Sequence, residues 1–426
     1  MSLTNGARLS TLSDILKEYY LGPVAEQLNN EVLLLARLNT RSEDLVGKQA
    51  YVPLHTSRSG GIGARAEAAA LPNAGNQVYD KAVYDLKYLY GRVQVTGPSM
   101  AKTKNEAGAF LQALKSELDG IRNDLQKDLA RQVYGDGTAK ISQCGTTTSS
   151  NIIQGASNPH AQEAIRKGQL YVGMLVDIGT ETTVGAVATN RKITAVDYDN
   201  GTITIDGAAV STTTANYVFR AGSGVDGGTS QDGSRSSEID GLRRVVSESA
   251  TAFGGIDPTD TGKAYWDNKR IDAQAAPANG TLSLDMIQKA LNLVRLEGSN
   301  PTAMITTLGI QREFYNLLQQ DVMYVDPESL NYAAGFKTLS YGGMPIISDI
   351  DAPYGNMYIL DESTLKVFSD QDWHFLDADG QTLRQKADYD AFEAIMTRYM
   401  NLGATKRNNH VVIHDIEVDG STDTGI

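Results

Sequence analysis

Residues 48–97 limit the possible folds more than any other part of the chain. Two strand-like runs here are held far apart by a tract with little to pack. Ala50-Tyr51-Val52-Pro53-Leu54 reads as a strand. The tract that follows, Ser57-Arg58-Ser59-Gly60-Gly61-Ile62-Gly63-Ala64-Arg65-Ala66-Glu67, continues through Ala68-Ala69-Ala70 to Leu71-Pro72-Asn73. A returning strand then sets Tyr84, Leu86, Tyr88 and Tyr90 against Asp85, Lys87 and Leu89. At Gly91 the phase changes: Val93 and Val95 become the apolar positions against Arg92 and Gln94, so a bulge or sharp twist is expected there. The product is a long two-stranded ribbon with a loose tip. Such a ribbon is marginal alone and needs a surface to lie on. A neighbouring copy of the chain can supply one.

The flanking segments also lack partners of their own. Leu12, Ile15, Leu16, Tyr19 and Tyr20 follow helical spacing, Gly22-Pro23 breaks the run, and Val24, Leu28, Val32, Leu35 and Leu38 resume it, so residues 9–46 read as mostly helical. Residues 104–134 predict one long helix. Leu111, Leu114, Leu118, Ile121, Leu125, Leu129 and Val133 form its apolar stripe, and Gly135 is placed as its C-terminal cap. Gly108 and Gly120 interrupt it at ~1 kcal/mol each relative to Ala.

Residues 138–165 read as a polar linker. Five strands are expected over 166–221: Leu170–Ile178, Val184–Ala188, Ile193–Asp197, Thr202–Asp206 and Asn216–Arg220, with Tyr198-Asp199-Asn200-Gly201 as a hairpin turn. A Gly/Ser/Asp-rich linker covers 221–237. Mixed α/β structure then returns over 238–371. Its helices are expected at 283–297, behind an N-cap at Ser283, and at 309–320; its strands at 302–307, 344–349, 356–361 and 364–369. Residues 372–416 read as hairpin and strand, with a turn at Asp379-Gly380 and a final strand Val411–Val418. Residues 389–402 fit a helix by Phe392, Ile395, Met396, Tyr399 and Met400, although the surroundings favour strands.

At 426 residues the chain is too long for one ordinary core, so two or three domains are expected. The net charge is −13 and the basic residues are scattered, with Arg243-Arg244, Lys269-Arg270 and Lys406-Arg407 as the longest pairs. A protein that grips nucleic acid carries a basic stripe, so that class is disfavoured, while an acidic wall that merely contains DNA is compatible. Cys144 is the one cysteine, so no intrachain disulfide forms and no oxidising compartment is needed. The N-terminus lacks a secretion signal and no run approaches ~18 apolar residues, so a cytoplasmic product with no membrane partner is expected.

Several motifs hint at chemistry, and each has a plainer reading. Gly222-Ser223-Gly224-Val225-Asp226-Gly227 matches a dinucleotide fingerprint, yet turn-forming residues follow where a helix N-terminus should receive the phosphates, so a linker is preferred. Asp197 and Asp199 hint at a calcium loop, but the glycine falls at the fifth position and Ala208 at the twelfth, so a hairpin turn is preferred. His410 and His414 on a strand stand ~13 Å apart at ~3.3 Å per residue, too far for one zinc. Cys144 has no nearby His in sequence, and no G-x-S-x-G elbow occurs. No catalytic, cofactor or metal residue is nominated, and an enzyme is not expected.

The order of parts resembles the tailed-bacteriophage major capsid protein family, whose Hong Kong 97 phage-type fold is shared by encapsulins. Three stretches carry the likeness beyond that order. They are Leu129-Ala130-Arg131-Gln132-Val133-Tyr134-Gly135-Asp136-Gly137; Asp240-Gly241-Leu242 with Gly254-Gly255-Ile256-Asp257 and Tyr265-Trp266; and Ser340-Tyr341-Gly342-Gly343-Met344-Pro345-Ile346-Ile347 with Asp349, Pro353 and Tyr358-Ile359-Leu360-Asp361. The resemblance covers most of the chain except residues 138–237. It implies an α+β fold with an N-terminal arm (1–46), an extended β-hairpin loop (47–97), a spine helix of a peripheral domain (98–137), a linker and small all-β insertion domain (138–237), an axial domain (238–371) and a return to the peripheral domain with a C-terminal strand (372–426).

The implied function is self-assembly into hexamers and pentamers of an icosahedral head that encloses double-stranded DNA without sequence-specific binding. Scaffolding and portal proteins are the further partners implied, and no cofactor is. Arg58, Arg65, Glu67, Tyr84, Tyr88 and Tyr90 are the candidate intersubunit contacts. Gly108 and Gly120 are the candidate hinge of the spine helix. Some members weld subunits through Lys–Asn isopeptide bonds; Lys81 and Lys87 lie on the returning strand, away from the tip, and neither matches that role. Two other readings stand beside this one: an encapsulin-like compartment shell, and a glycan-binding surface protein that uses the β insert.

Overall fold

A computed structural model describes residues 32–41, 45–67, 69–96, 107–154, 164–165, 167–180, 183, 185–221, 238–275, 279–321, 339–376, 384–385 and 389–418. The hairpin arm forms from alternation. In Gln49–Ser57 the residues Ala50, Val52 and Leu54 are buried while Tyr51, Pro53 and His55 face solvent. This strand pairs antiparallel with Val78–Asp85, in register from Gln49 opposite Asp85 to His55 opposite Tyr79, with a shift before Ser57 meets Val78, and Leu45–Val46 adds a short edge.

The phase change lies earlier than expected. Ala82, Tyr84 and Leu86 are buried, and then Leu89 and Val93, so the alternation shifts between Leu86 and Leu89. The cause is a change of partner. Val78–Asp85 belongs to the arm, whereas Lys87–Thr96 pairs along its length with Ala391–Ala404, from Thr96 opposite Ala391 to Lys87 opposite Met400. Asn401 secures the crossover by donating its side-chain amide to the Asp85 carbonyl at 2.8 Å. Tyr88 and Tyr90 therefore face outward and Leu89 inward, the reverse of the sequence expectation. Gly91 serves close approach: a Cβ there would lie 2.7 Å from Leu125 of the long helix.

That helix runs from Ala107 to Tyr134 without a break at Gly108 or Gly120. Leu118, Leu125, Leu129 and Val133 bury its stripe against the sheet, with Ile121 packed beside them; the side chains of Leu111 and Leu114 lie outside the described residues. Gly135 is not in the left-handed region. Its N–H donates to the Gln132 carbonyl at 3.0 Å, and the first left-handed residue after the helix is Gly137 at φ 76. Gly241 closes on this helix end, where a Cβ would stand 2.3 Å from the Gln132 carbonyl oxygen.

Ala391–Ala404 is the hub of the first sheet. It pairs with Lys87–Thr96, Leu365–Ser369, His374–Phe375 and Arg384–Gln385. Asn39–Arg41 runs parallel to Leu365–Ser369 at the edge. Only Leu33–Arg37 is helical among the described residues before 46, so 39–41 and 45–46 correct the helical reading of that stretch; residues 9–31 lie outside the described residues.

The second sheet has the order Lys269–Asp272, Val411–His414, Met357–Leu360, Ala303–Thr306, Met344–Ser348, Ser340–Tyr341. Helix Leu284–Leu296 covers one face. Its start is fixed by Ser283, whose hydroxyl accepts from Met286 N at 3.2 Å. Helix Leu308–Asp321 contributes Ile310 and Phe314 to the same apolar cluster. The chain leaves this sheet after Leu360 and returns at Val411, so Leu365–Ser369 sits with the hub strand and not with the strands before it.

A separate six-stranded sheet is ordered Ser142–Gln143, Asn216–Arg220, Leu175–Thr180, Ala188–Asp197, Thr202–Ile205, Ile152–Gln154; Thr147–Ser150 pairs apart with Val210–Thr212. It has its own apolar cluster, which includes Cys144, Ile153, Val176, Ile178 and Ile203. The linker reading of 138–165 is thus corrected: three strands of this unit precede residue 155, and a boundary at 166 would cut through its sheet. Where a strand is expected at Val184–Ala188, the described residues 185–187 form a turn and bend, and only Ala188 joins Ala188–Asp197.

Candidate functional site

The arm is held at its base and bare at its tip. Tyr84 donates its hydroxyl to the Ala404 carbonyl at 2.7 Å and packs its ring on Phe368 and Phe253, with centroids 5.3 and 5.2 Å away. Burial raises its hydroxyl well above the usual tyrosine range, so it stays a donor. Tyr84 is a core residue of its own chain and leaves the group of candidate contacts. A second clasp comes from residues 253–266: Val83 N–H donates to the Gly254 carbonyl at 2.9 Å, and Tyr265 hydroxyl donates to Asp80 Oδ2 at 2.7 Å.

Beyond Thr56 the arm finds almost no burial. Ile62 is 79% exposed and Leu71 84%, and Val78 and Tyr79 are also open. Gly75 crosses the tip backbone closely; a Cβ there would lie 2.8 Å from Gly60 N. Arg58, Arg65 and Glu67 are all exposed. Arg65 shapes the tip, donating from Nε to the Ala70 carbonyl at 3.1 Å. Ile62 and Leu71 are not among the contacts expected from sequence; two lone large apolar residues in a Gly/Ala/Ser tract are the available signal.

Tyr88 and Tyr90 form a second exposed feature on the outer face of the hub sheet. Their rings meet Tyr399 at centroid distances of 5.1 and 6.5 Å, and His374 joins at 6.1 Å. Arg92 and Glu393 form an ion pair alongside. Edge-on aromatic clusters of this kind are suited to protein interfaces.

The separate β unit is moored to the foot of the long helix. Asp128 accepts from Arg131 at 3.1 Å, from Gln132 at 2.8 Å and from Arg220 of the β unit at 3.0 Å. The two guanidinium groups hold its carboxyl below the usual range despite burial.

The motifs for chemistry resolve into structure. Cys144 is buried, and its thiol is pushed up to about 12, so the reactive thiolate is suppressed. Asp197 spends its carboxylate on its own hairpin, accepting from the backbone N–H of Asp199 and Asn200 at 3.1 Å each. Residues 222–227 lie outside the described residues. No helix among the described residues is long and apolar enough to cross a membrane.

His410 is wholly buried. Nδ1 lies 3.4 Å from Asp361 N–H and Nε2 3.2 Å from Thr364 Oγ1, whose own proton goes to the Asp361 carbonyl. The ring therefore fits as the Nε2–H tautomer. Burial lowers its pKa to about 4 from 6.5. The unfolded chain thus binds a proton that the folded chain refuses, and stability should fall as pH drops from about 6.5, reaching a loss of about 3 kcal/mol near pH 4. Urea unfolding across that range checks this: His410→Gln should flatten the dependence, and an equal slope in both proteins would refute it.

No protein-family model matches the chain, and no curated protein matches it. Solved structures do. The capsid asymmetric unit of cyanophage A-1(L) superposes with a TM-score of 0.54 at 14% identity, over 90% of this chain and 92% of that one. The capsid of a native GTA particle reaches a TM-score of 0.43 at 10% identity, over 90% of each chain. The holo-SrpI encapsulin complex from Synechococcus elongatus PCC 7942 reaches 0.42 at 9%, over 91% of this chain and 89% of that one. The cyanophage likeness carries the assignment: this chain has the phage major-capsid fold.

Proposed function

We propose that this chain is a major capsid subunit that assembles with copies of itself, as hexamers and pentamers, into an icosahedral phage head around double-stranded DNA. The observation that supports this most is the arm tip, which projects Ile62 and Leu71 into solvent from a fold shared with a phage capsid protein. An arm of this kind gains burial by lying on another copy, and the Tyr88–Tyr90–Tyr399 face is the kind of surface that receives one. Each contact is modest, and many acting together give a stable lattice. On this reading scaffolding and portal proteins are further partners, and the net charge of −13 suits a wall that contains DNA without gripping it.

The test is negative-stain microscopy and sedimentation of the purified chain. Closed shells are expected. A monomer that forms no particles at any concentration would overturn the reading. Shells filled with enzyme cargo rather than DNA would favour the encapsulin-like compartment, and a non-assembling product that binds glycans would favour the third reading.

Gly108 and Gly120 are the proposed hinge of the long helix during shell maturation. A Cβ at Gly120 would meet nothing within 4 Å, so packing does not require glycine there. Gly120→Ala should therefore raise helix stability by ~0.5–1 kcal/mol and, if the hinge operates, impair the change from immature to expanded shell. Cryo-microscopy of both states decides it: normal expansion with an unchanged helix curve would remove the hinge.

A further inference from the structure

Three metal-ligating side chains converge at one end of the second sheet. Lys269–Asp272 runs parallel to Val411–His414 and sets Asp272 beside His414. Asp415 follows in the left-handed region at φ 58, with its Oδ2 2.6 Å from His414 Nδ1. One ligand atom each from Asp272, His414 and Asp415 lies within 4.8 Å of the other two.

A second observation comes from the strand on the other side. Met357 pairs with Ile413, so Asn356 stands next to His414, and directly opposed residues of a ladder share a face. Asn356 is 1% exposed. Its amide nitrogen donates to Glu248 Oε1 at 2.8 Å and to Tyr358 hydroxyl at 3.1 Å, while its Oδ1 is buried and has no donor among the described residues. A buried oxygen left so costs ~1–3 kcal/mol, and a donor is what it lacks. Asp272 and Asp415 are exposed, so the cluster is open to solvent, and Asp415 also borders a cleft of about 580 Å³.

We propose that Asp272, His414 and Asp415 form a divalent transition-metal site, of which zinc is the best-fitting occupant, and that a metal-bound water donates to Asn356 Oδ1. One imidazole and two carboxylates match the nitrogen-and-oxygen preference of zinc, whereas calcium and magnesium prefer oxygen alone. The two carboxylates neutralise the ion. A closed tetrahedron at zinc distances has edges of ~3.4 Å, so on binding Asp415 gives up its 2.6 Å hydrogen bond to His414 and backs away by ~1 Å, while the exposed Asp272 side chain closes in. The bound ion ties the chain after Val411–His414 to Lys269–Asp272 and fastens the end of the sheet.

The test uses the full chain, stripped with EDTA and titrated with Zn²⁺ or Mg²⁺ by calorimetry and thermal unfolding. Wild type should take up about one zinc ion per chain with a rise in Tm, and magnesium should do neither. Asp415→Asn keeps a side chain that tolerates the left-handed backbone, and His414→Gln keeps a polar one; each should weaken zinc binding roughly tenfold or more. His55→Gln and His374→Gln, away from the cluster, should bind as wild type does. Absence of zinc uptake by wild type, undiminished binding by the cluster variants, or loss of binding in the distant ones would each overturn the site.

Discussion

Replacing Ile62 and Leu71 together by Asp should abolish particles while leaving a folded chain. Both side chains are exposed in the single subunit, so the substitutions remove nothing from its own core. In an assembled shell each would be buried against another copy at a gain of about 1.5–3 kcal/mol. Losing both from every arm costs ~3–6 kcal/mol per contact, a factor of ~10²–10⁴ in each pairwise equilibrium. The deficit compounds because the proposed lattice depends on many such contacts at once. Sedimentation velocity and negative staining measure the particles, and circular dichroism checks the fold. Normal shell yield would show that the tip carries no interface. Reversal of Arg65 or Glu67 should have a smaller effect in the same assay, since both are exposed and Arg65 already bonds its own loop.

The parts of the fold that were legible are those with one wet face. The stripe of the long helix and the alternation in Gln49–Ser57 each have water on one side, which leaves a clean period, and the Ser283 cap is a local signal of its own. Ala391–Ala404 was ambiguous because it is the hub of its sheet. Residues of both parities are buried along much of it, so alternation vanishes, and Phe392, Ile395, Met396, Tyr399 and Met400 fall by chance at helical spacing. The early strands of the β unit were missed for the opposite reason. Thr147–Ser150 contains only Thr and Ser, and Ser142–Gln143 is two residues long, so neither carries a period. Of the candidate contacts, Tyr84 belongs to the core and Tyr88 and Tyr90 to the outer face. That split follows from a change of strand partner at residue 86, which no local pattern encodes.

Arg407→Met should cost about 3 kcal/mol of stability and loosen the arm at its root. Arg407 is 0% exposed. Its Nε donates to the Val245 carbonyl at 2.7 Å, and its two terminal nitrogens donate to the carbonyls of Thr251 at 2.6 Å and Arg244 at 3.3 Å. Burial lowers its pKa to about 10, which still leaves it charged at neutral pH. Methionine fills much of the volume and donates nothing. Three carbonyls would then lose a donor at ~1–3 kcal/mol each, and relief from burying a guanidinium offsets part of that. Arg407→Lys keeps the charge without the planar fork and should recover less than half. The residues that Arg407 holds lead directly into Phe253 and Gly254, which pack on Tyr84 and accept from Val83 N–H. Hydrogen exchange should therefore quicken in Gln49–Ser57 and Val78–Asp85 as well as near residue 245. A variant with an unchanged urea midpoint, or with faster exchange confined to residues 242–253, would show that the arm is anchored independently of Arg407.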